Sequence, residues 1–177
     1  MKVVGLAGYS GSGKTTLVER LIPVFRLHGL RVSVVKHAHH SFDIDHAGKD
    51  TYRHREAGAF EVVVASKHRL ALMREFEQPA QLSVHHLIAE LYEGVDWVLV
   101  EGFKESDLPK LEVWRALSKQ PARYVDDDFI VAIATDSPDQ LPQSTQRPVL
   151  DLNDAEAVVS WLIASETRFE YRSEMFS

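Results

Sequence analysis

Three glycines, two serines, two threonines and a lysine crowd into Gly8-Tyr9-Ser10-Gly11-Ser12-Gly13-Lys14-Thr15-Thr16. Those residue types at that spacing suit one task, the holding of phosphate. Glycines let the backbone turn tightly and bring its N–H groups around an anion without Cβ clashes. Lys14 is a compact, mobile charge for the β- and γ-phosphates. The Thr15 hydroxyl is placed to ligate Mg²⁺, and Thr16 can reach the α-phosphate. Every required position of G-x-x-x-x-G-K-[ST] is met.

A phosphate loop needs a carboxylate near its magnesium. Glu101 ends the apolar run Trp97-Val98-Leu99-Val100, and Gly102 follows it, where backbone can come close to a ligand. Glu101 also reads as a plain polar strand end, but an acid closing an apolar strand favours the metal role. Asp96 precedes the same run and belongs at its far end.

The segment from Lys36 to Thr51, KHAHHSFDIDHAGKDT, is a second concentration of chemistry. Asp43 or Asp45 could face the metal or place an attacking water, as switch-type loops do. A solvated loop fits equally well, and a dedicated transition-metal site is the weaker reading. Lys49, Arg55, Arg69, Lys104, Lys110 and Arg115 are dispersed cations. Of these, Arg55 and Lys104 are the ones expected beside an anionic ligand. Asp136 follows another buried run. It could accept both N1–H and the 2-amino group of guanine, and it fits a turn before Ser137-Pro138 as well. No N-K-x-D sequence is present, so base choice stays open.

These residues must be carried by particular elements. Lys2 to Ala7 reads as a buried strand entering the glycine turn. Lys14 to Leu27 reads as the helix leaving it, with Leu17, Leu21, Val24 and Leu27 on one face and Pro23 as a possible kink. Further strands are expected at Arg31–Val35, Phe60–Ala65, Arg69–Phe76, Trp97–Val100, Lys110–Arg115 and Phe129–Ala134. Helices are expected up to Gly58, over Gln81–Leu91, and from an Asn153 or Asp154 cap to Ile163. Alternating strands and helices predict an α/β P-loop NTPase fold. Its mostly parallel sheet is flanked by helices, with added β-hairpin segments. One nucleotide-binding domain over residues 1–165 and a frayed polar tail over 166–177 are expected.

The 177 residues are 45% hydrophobic, carry a net charge of −6 and contain no cysteine. Disulfides are excluded, and a cytoplasmic setting is the simple reading. The negative balance argues against nucleic-acid binding. No signal peptide and no run fit to cross a membrane is read.

With these features in place, the chain resembles the MobB family of molybdopterin-guanine dinucleotide biosynthesis adaptors. The likeness rests on GYSGSGKTTL, on KHAHHSFDIDHAGKDTYRHREAGA, on VVASKHRLALM and on LVEGFK, with ATD and LDLND further on. The glycine loop is widely shared. The histidine-rich loop together with VEGFK is far more specific. The resemblance implies GTP and Mg²⁺ as ligands, weak hydrolysis, and work beside the molybdenum cofactor guanylyltransferase on molybdopterin. It also implies a homodimer, with the hairpin segments helping to build the interface. It supports Ser10, Gly11, Ser12, Gly13, Lys14, Thr15 and Thr16 as the nucleotide loop and Glu101 near the metal. Asp45, Arg55 and Lys104 remain site candidates. The alternative is a small-molecule kinase moving a γ-phosphate to a hydroxyl. Kinases close an Arg-rich lid over the transferring phosphate, and no long Arg-rich insertion is present.

Overall fold

Val3, Val4, Leu6 and Ala7 are all buried, so β1 (Lys2–Ala7) must be covered on both faces. Such strands belong in the middle of a parallel sheet. The computed structural model, which describes residues 1–38 and 42–172, places it there. A six-stranded sheet runs in the order β2 (Val32–Lys36), β5 (Trp97–Glu101), β1, β6 (Lys110–Trp114), β7 (Ile130–Thr135), β8 (Val149–Asp151). Every pairing in it is parallel. The chain passes from β1 to one side of the sheet and returns to the other, so a crevice opens at the carboxyl ends beside β1.

α1 (Lys14–Leu27) continues through Pro23. Leu17, Leu21, Val24 and Phe25 are buried under it, whereas Leu27 is 81% exposed. Phe25 takes the place expected of Leu27 because, at about 100° per residue, Leu27 falls off the arc that Leu17, Leu21, Val24 and Phe25 share. α4 (Ala155–Ala164) packs in the same apolar cluster and is capped by Asp154, whose carboxylate accepts from the Ala157 N–H. α3 (Val84–Ala89) is shorter than expected. Ser83 starts it with a capping box to His86, and its buried Val84 and Ile88 join a second cluster with Val98 and Val100. β8 escaped the sequence reading, since three residues give too short a run for a period-2 pattern.

The frayed tail expected after Glu166 is corrected over the described residues. Phe169 is 1% exposed. Its ring meets Trp97 at 5.6 Å and the edge of Trp161 at 5.9 Å. Lys2 pairs with Glu166 at 2.8 Å, and the Tyr171 N–H donates to the Met1 carbonyl. The Tyr171 hydroxyl meets His85 Nδ1 at 2.9 Å, while His85 Nε2 meets Asp107 at 3.0 Å. The polar neighbours of Phe169 in the sequence masked this docking.

The chain forms two compact units. One holds Met1–His37 and the chain from Ser83 onward, and the other is Ala38–Leu82. The second unit contains α2 (Asp50–Glu56) and an antiparallel hairpin of β3 (Glu61–Ala65) with β4 (Leu70–Arg74). Among the described residues, no helix is long and apolar enough to cross a membrane.

Candidate nucleotide site

The loop between β1 and α1 is built from left-handed glycines. Gly8, Gly11 and Gly13 have φ of 138°, 78° and 100°. At Gly8 a Cβ would fall 2.5 Å from the Val113 carbonyl oxygen and 2.7 Å from Ser12 Oγ, so space and φ both demand glycine. Gly13 is the N-cap of α1, with no side-chain cap and no acid in the first turn. The first N–H groups of a 14-residue helix are thereby left for an anion. Ser12 is 3% exposed, and its hydroxyl has no partner among the described residues.

Lys14 Nζ donates to the carbonyls of Gly8 and Tyr9, each at 2.8 Å. Burial, with Lys36 nearby, pulls this ammonium below the ordinary lysine value, against the opposing pull of Glu101. An arriving phosphate would restore what burial removes.

The Thr15 hydroxyl donates to Glu101 Oε1 at 2.7 Å. The two residues singled out for the metal are 86 positions apart in sequence and in direct contact. β5 lies beside β1, with Leu6 opposite Glu101, and this register brings the acid to the loop. Gly102 has φ of 107°, and a Cβ there would lie 2.9 Å from His37 Cβ. The residues fit a magnesium–triphosphate: a glycine cradle, an uncapped helix start, one ammonium, and hydroxyl and carboxylate oxygens of the hard type Mg²⁺ prefers.

Lys36 was missed. It sits opposite Glu101 in the β2–β5 register, 3.6 Å from Oε2. Only the parallel register carries this signal. Asp136 follows β7, and Arg115 follows β6. Their side chains pair at 3.3 Å, and the Arg115 guanidinium flanks Gly13. Lys104 is exposed, and its carbonyl accepts from Lys110 Nζ at 3.0 Å. Lys110 itself is a buried strut, 2% exposed and 2.8 Å from Asp127.

Asp43, Asp45 and Arg55 belong to the second unit, where they hold one another. Arg55 Nη1 lies 3.1 Å from both Asp43 and Asp45, and Nε lies 2.6 Å from Glu75. Asp45 also accepts from the His46 N–H and the Thr51 hydroxyl. His39 and His40 lie outside the described residues. Among the described residues no cluster of His, Asp and Glu is arranged to hold a metal.

The Asp45 N–H, with Arg55, lowers the Asp43 carboxyl below its ordinary value. Burial pushes Asp45 up, but hydrogen bonds from His46, Thr51 and Arg55 outweigh it, and the net direction is down. Lowered folded values mean that the network's contribution is complete above the ordinary aspartate value of about 3.9 and is lost as pH falls through the folded values. The amide resonances of Asp45 and His46 are therefore expected to titrate with midpoints below about 3.9. Arg55→Ala should raise those midpoints. Midpoints already at the free-aspartate value in the wild type would contradict the network.

The parallel sheet, the glycine loop and the acid at the neighbouring strand end define a P-loop NTPase fold. Residues 3–136 match the profile of the family described as MobB: Molybdopterin guanine dinucleotide synthesis protein B. The chain belongs to this family. A molybdopterin-guanine dinucleotide biosynthesis adapter protein of Haemophilus influenzae is 39% identical over 166 residues, covering 90% of this chain and 89% of the relative. Its counterpart in Escherichia coli is 36% identical, covering 91% of each. Among solved structures, a MobB homologue from Bacillus stearothermophilus superposes with a TM-score of 0.68 at 28% identity, covering 94% of this chain and 99% of that one.

Proposed function

We propose that this protein is a cytoplasmic GTP-binding adaptor in the synthesis of the guanine dinucleotide form of the molybdenum cofactor. It works beside the guanylyltransferase and its molybdopterin substrate, and it hydrolyses GTP slowly. The Thr15–Glu101 contact at the mouth of the glycine loop carries the reading, because it joins a metal-ligating hydroxyl and carboxylate where a triphosphate would end. The family and its named relatives support the biosynthetic role.

A magnesium ion held there would supply positive charge to offset that of the phosphates. Thr15 and Glu101 would hold it. Lys14 would exchange its two loop carbonyls for phosphate oxygens. The Gly11–Lys14 backbone would orient the chain of phosphates. Holding the ground state does not by itself accelerate chemistry. Asp45 and Arg55, the residues the sequence suggests for placing water and meeting charge, are engaged by neighbours in their own unit. Turnover by the isolated protein is therefore expected well below the roughly 1–100 s⁻¹ of kinases.

Calorimetric titration of GTP with and without Mg²⁺ tests the site. Glu101→Gln should lose most of the magnesium-dependent gain, roughly tenfold in affinity, and keep the metal-free affinity. An unchanged magnesium dependence would remove Glu101 from the site. Rapid phosphate transfer to an added alcohol would favour a kinase instead.

A homodimer is part of this reading. The hairpin exposes Val63, Leu70 and Leu72 at 56%, 67% and 43%. Apolar strand edges of this kind seek partners. Light scattering should give twice the 20.0 kDa chain mass, and a monomer at micromolar concentration would count against it.

A further inference from the structure

Lys36 is a cation to which the proposed phosphate chemistry gives no task. It ends β2, and the β2–β5 register sets it opposite Glu101. The next residue locks that register, since the His37 N–H donates to the Glu101 carbonyl at 2.9 Å. The backbone is therefore held, while the side chain is 57% exposed and can swing on its flexible four-carbon stem. Nζ lies 3.6 Å from Glu101 Oε2, beyond hydrogen-bond length, and this is its one ion pair among the described residues. Glu101 turns its other oxygen, Oε1, to the Thr15 hydroxyl at 2.7 Å. The Lys14 ammonium feels the same place. Burial depresses it, Glu101 opposes that, and Lys36 adds its repulsion. A single carboxylate thus stands among Lys14, Lys36 and the Thr15 hydroxyl at the mouth of the glycine loop.

We propose that Lys36 reads the γ-phosphate, so that the protein distinguishes a nucleoside triphosphate from a diphosphate. The proposal rests on the nucleotide reading above, in which the third phosphate ends beside Thr15 and Glu101. Glu101 cannot serve a metal ion and keep Lys36 on equal terms. Their present contact is loose, and a second cation at the carboxylate repels the ammonium. Lys36 then needs another anion. A triphosphate brings one to the same mouth, whereas a diphosphate ends one phosphate short of it. By exchanging Oε2 for a phosphate oxygen, Lys36 trades a loose ion pair for a charge-assisted hydrogen bond. Lys14 cannot make this distinction, because it serves the β-phosphate as well and its loss weakens both nucleotides. Lys36 comes from a different strand and approaches from the Glu101 side, so its contribution is confined to the last phosphate.

The test measures affinities of GDP and of a GTP analogue with a non-hydrolysable β–γ imido bridge, for the full chain with Mg²⁺. Lys36→Met keeps the length of the stem and removes the charge. It should weaken the triphosphate analogue by roughly tenfold and leave GDP within roughly twofold. Intact GDP binding in the same variant shows that the glycine loop is still folded. Lys36→Arg should recover part of the lost affinity, a rescue that depends on charge. Phosphorus NMR of the bound analogue should show the γ resonance shifted between wild type and Lys36→Met, with the α resonance in place.

Equal losses for GDP and the analogue in Lys36→Met would overturn the γ-phosphate role and leave Lys36 as a neutraliser of Glu101, with the phosphate site standing. Unchanged affinity for both would overturn it too. Failure of the wild type to bind either nucleotide would overturn the nucleotide reading together with it.

Discussion

Lys14→Ala is expected to bind GTP at least about 100-fold more weakly than the wild type and to lose hydrolysis, with its fold intact. Two charge-assisted hydrogen bonds to phosphate, each contributing about 1.5–3 kcal/mol, set that scale. Lys14 now donates to the Gly8 and Tyr9 carbonyls, and it is only partly buried. Its loss exposes two acceptors that water can reach, so little core packing changes. Glycine geometry holds the loop independently, through the φ values of Gly8, Gly11 and Gly13. Circular dichroism and urea unfolding should match the wild type while titration heat with GTP disappears. Near-wild-type affinity would remove the loop from nucleotide binding. Unfolding of the variant would instead show the Lys14–carbonyl bonds to be structural.

Phe169→Ala is expected to cost about 3–5 kcal/mol of stability, the usual range for a large aromatic cut from a core. The ring fills the space between Trp97 and Trp161, and it is 1% exposed. Trp97 lies at the start of β5, the strand that ends in Glu101. The lost packing is therefore at the far end of the strand from the loop. Urea unfolding should show a lower midpoint with an unchanged slope, while GTP affinity under native conditions holds. A loss below about 1 kcal/mol would mean that the neighbouring indoles close the cavity. Phe169→Leu should recover part of the stability, since it restores volume without the ring.

Much of the candidate site could be read from residue types and spacing. G-x-x-x-x-G-K-[ST] specifies a backbone geometry and a charge, and both are local. The strand before it and the helix after it follow from local apolar patterns, and Lys2–Ala7 and Lys14–Leu27 are the observed bounds. Glu101 was accessible for the same reason. An apolar run of strand length that ends in an acid is a local signal, although its partner is far away. The family resemblance drew on these stretches together with the histidine-rich loop and the hairpin.

The tertiary structure decided what depends on register and neighbours. Lys36 stands opposite Glu101 only because β2 pairs with β5 in parallel, and nothing in KHAHH announces it. Arg115 was one of several dispersed cations until β6 and β7 set it between Gly13 and Asp136. Lys110 had the same residue-level credentials, yet it became a buried partner of Asp127. Phe169 sat in a polar tail and turned out to close the core. Ala38–Leu82 read as a continuation of the main domain but forms its own unit, with Arg55 bound to Asp43, Asp45 and Glu75. The physical reason is common to all of them. A phosphate loop is written in the backbone preferences of adjacent residues, whereas the use of a charged side chain depends on which partner the sheet order brings within about 4 Å.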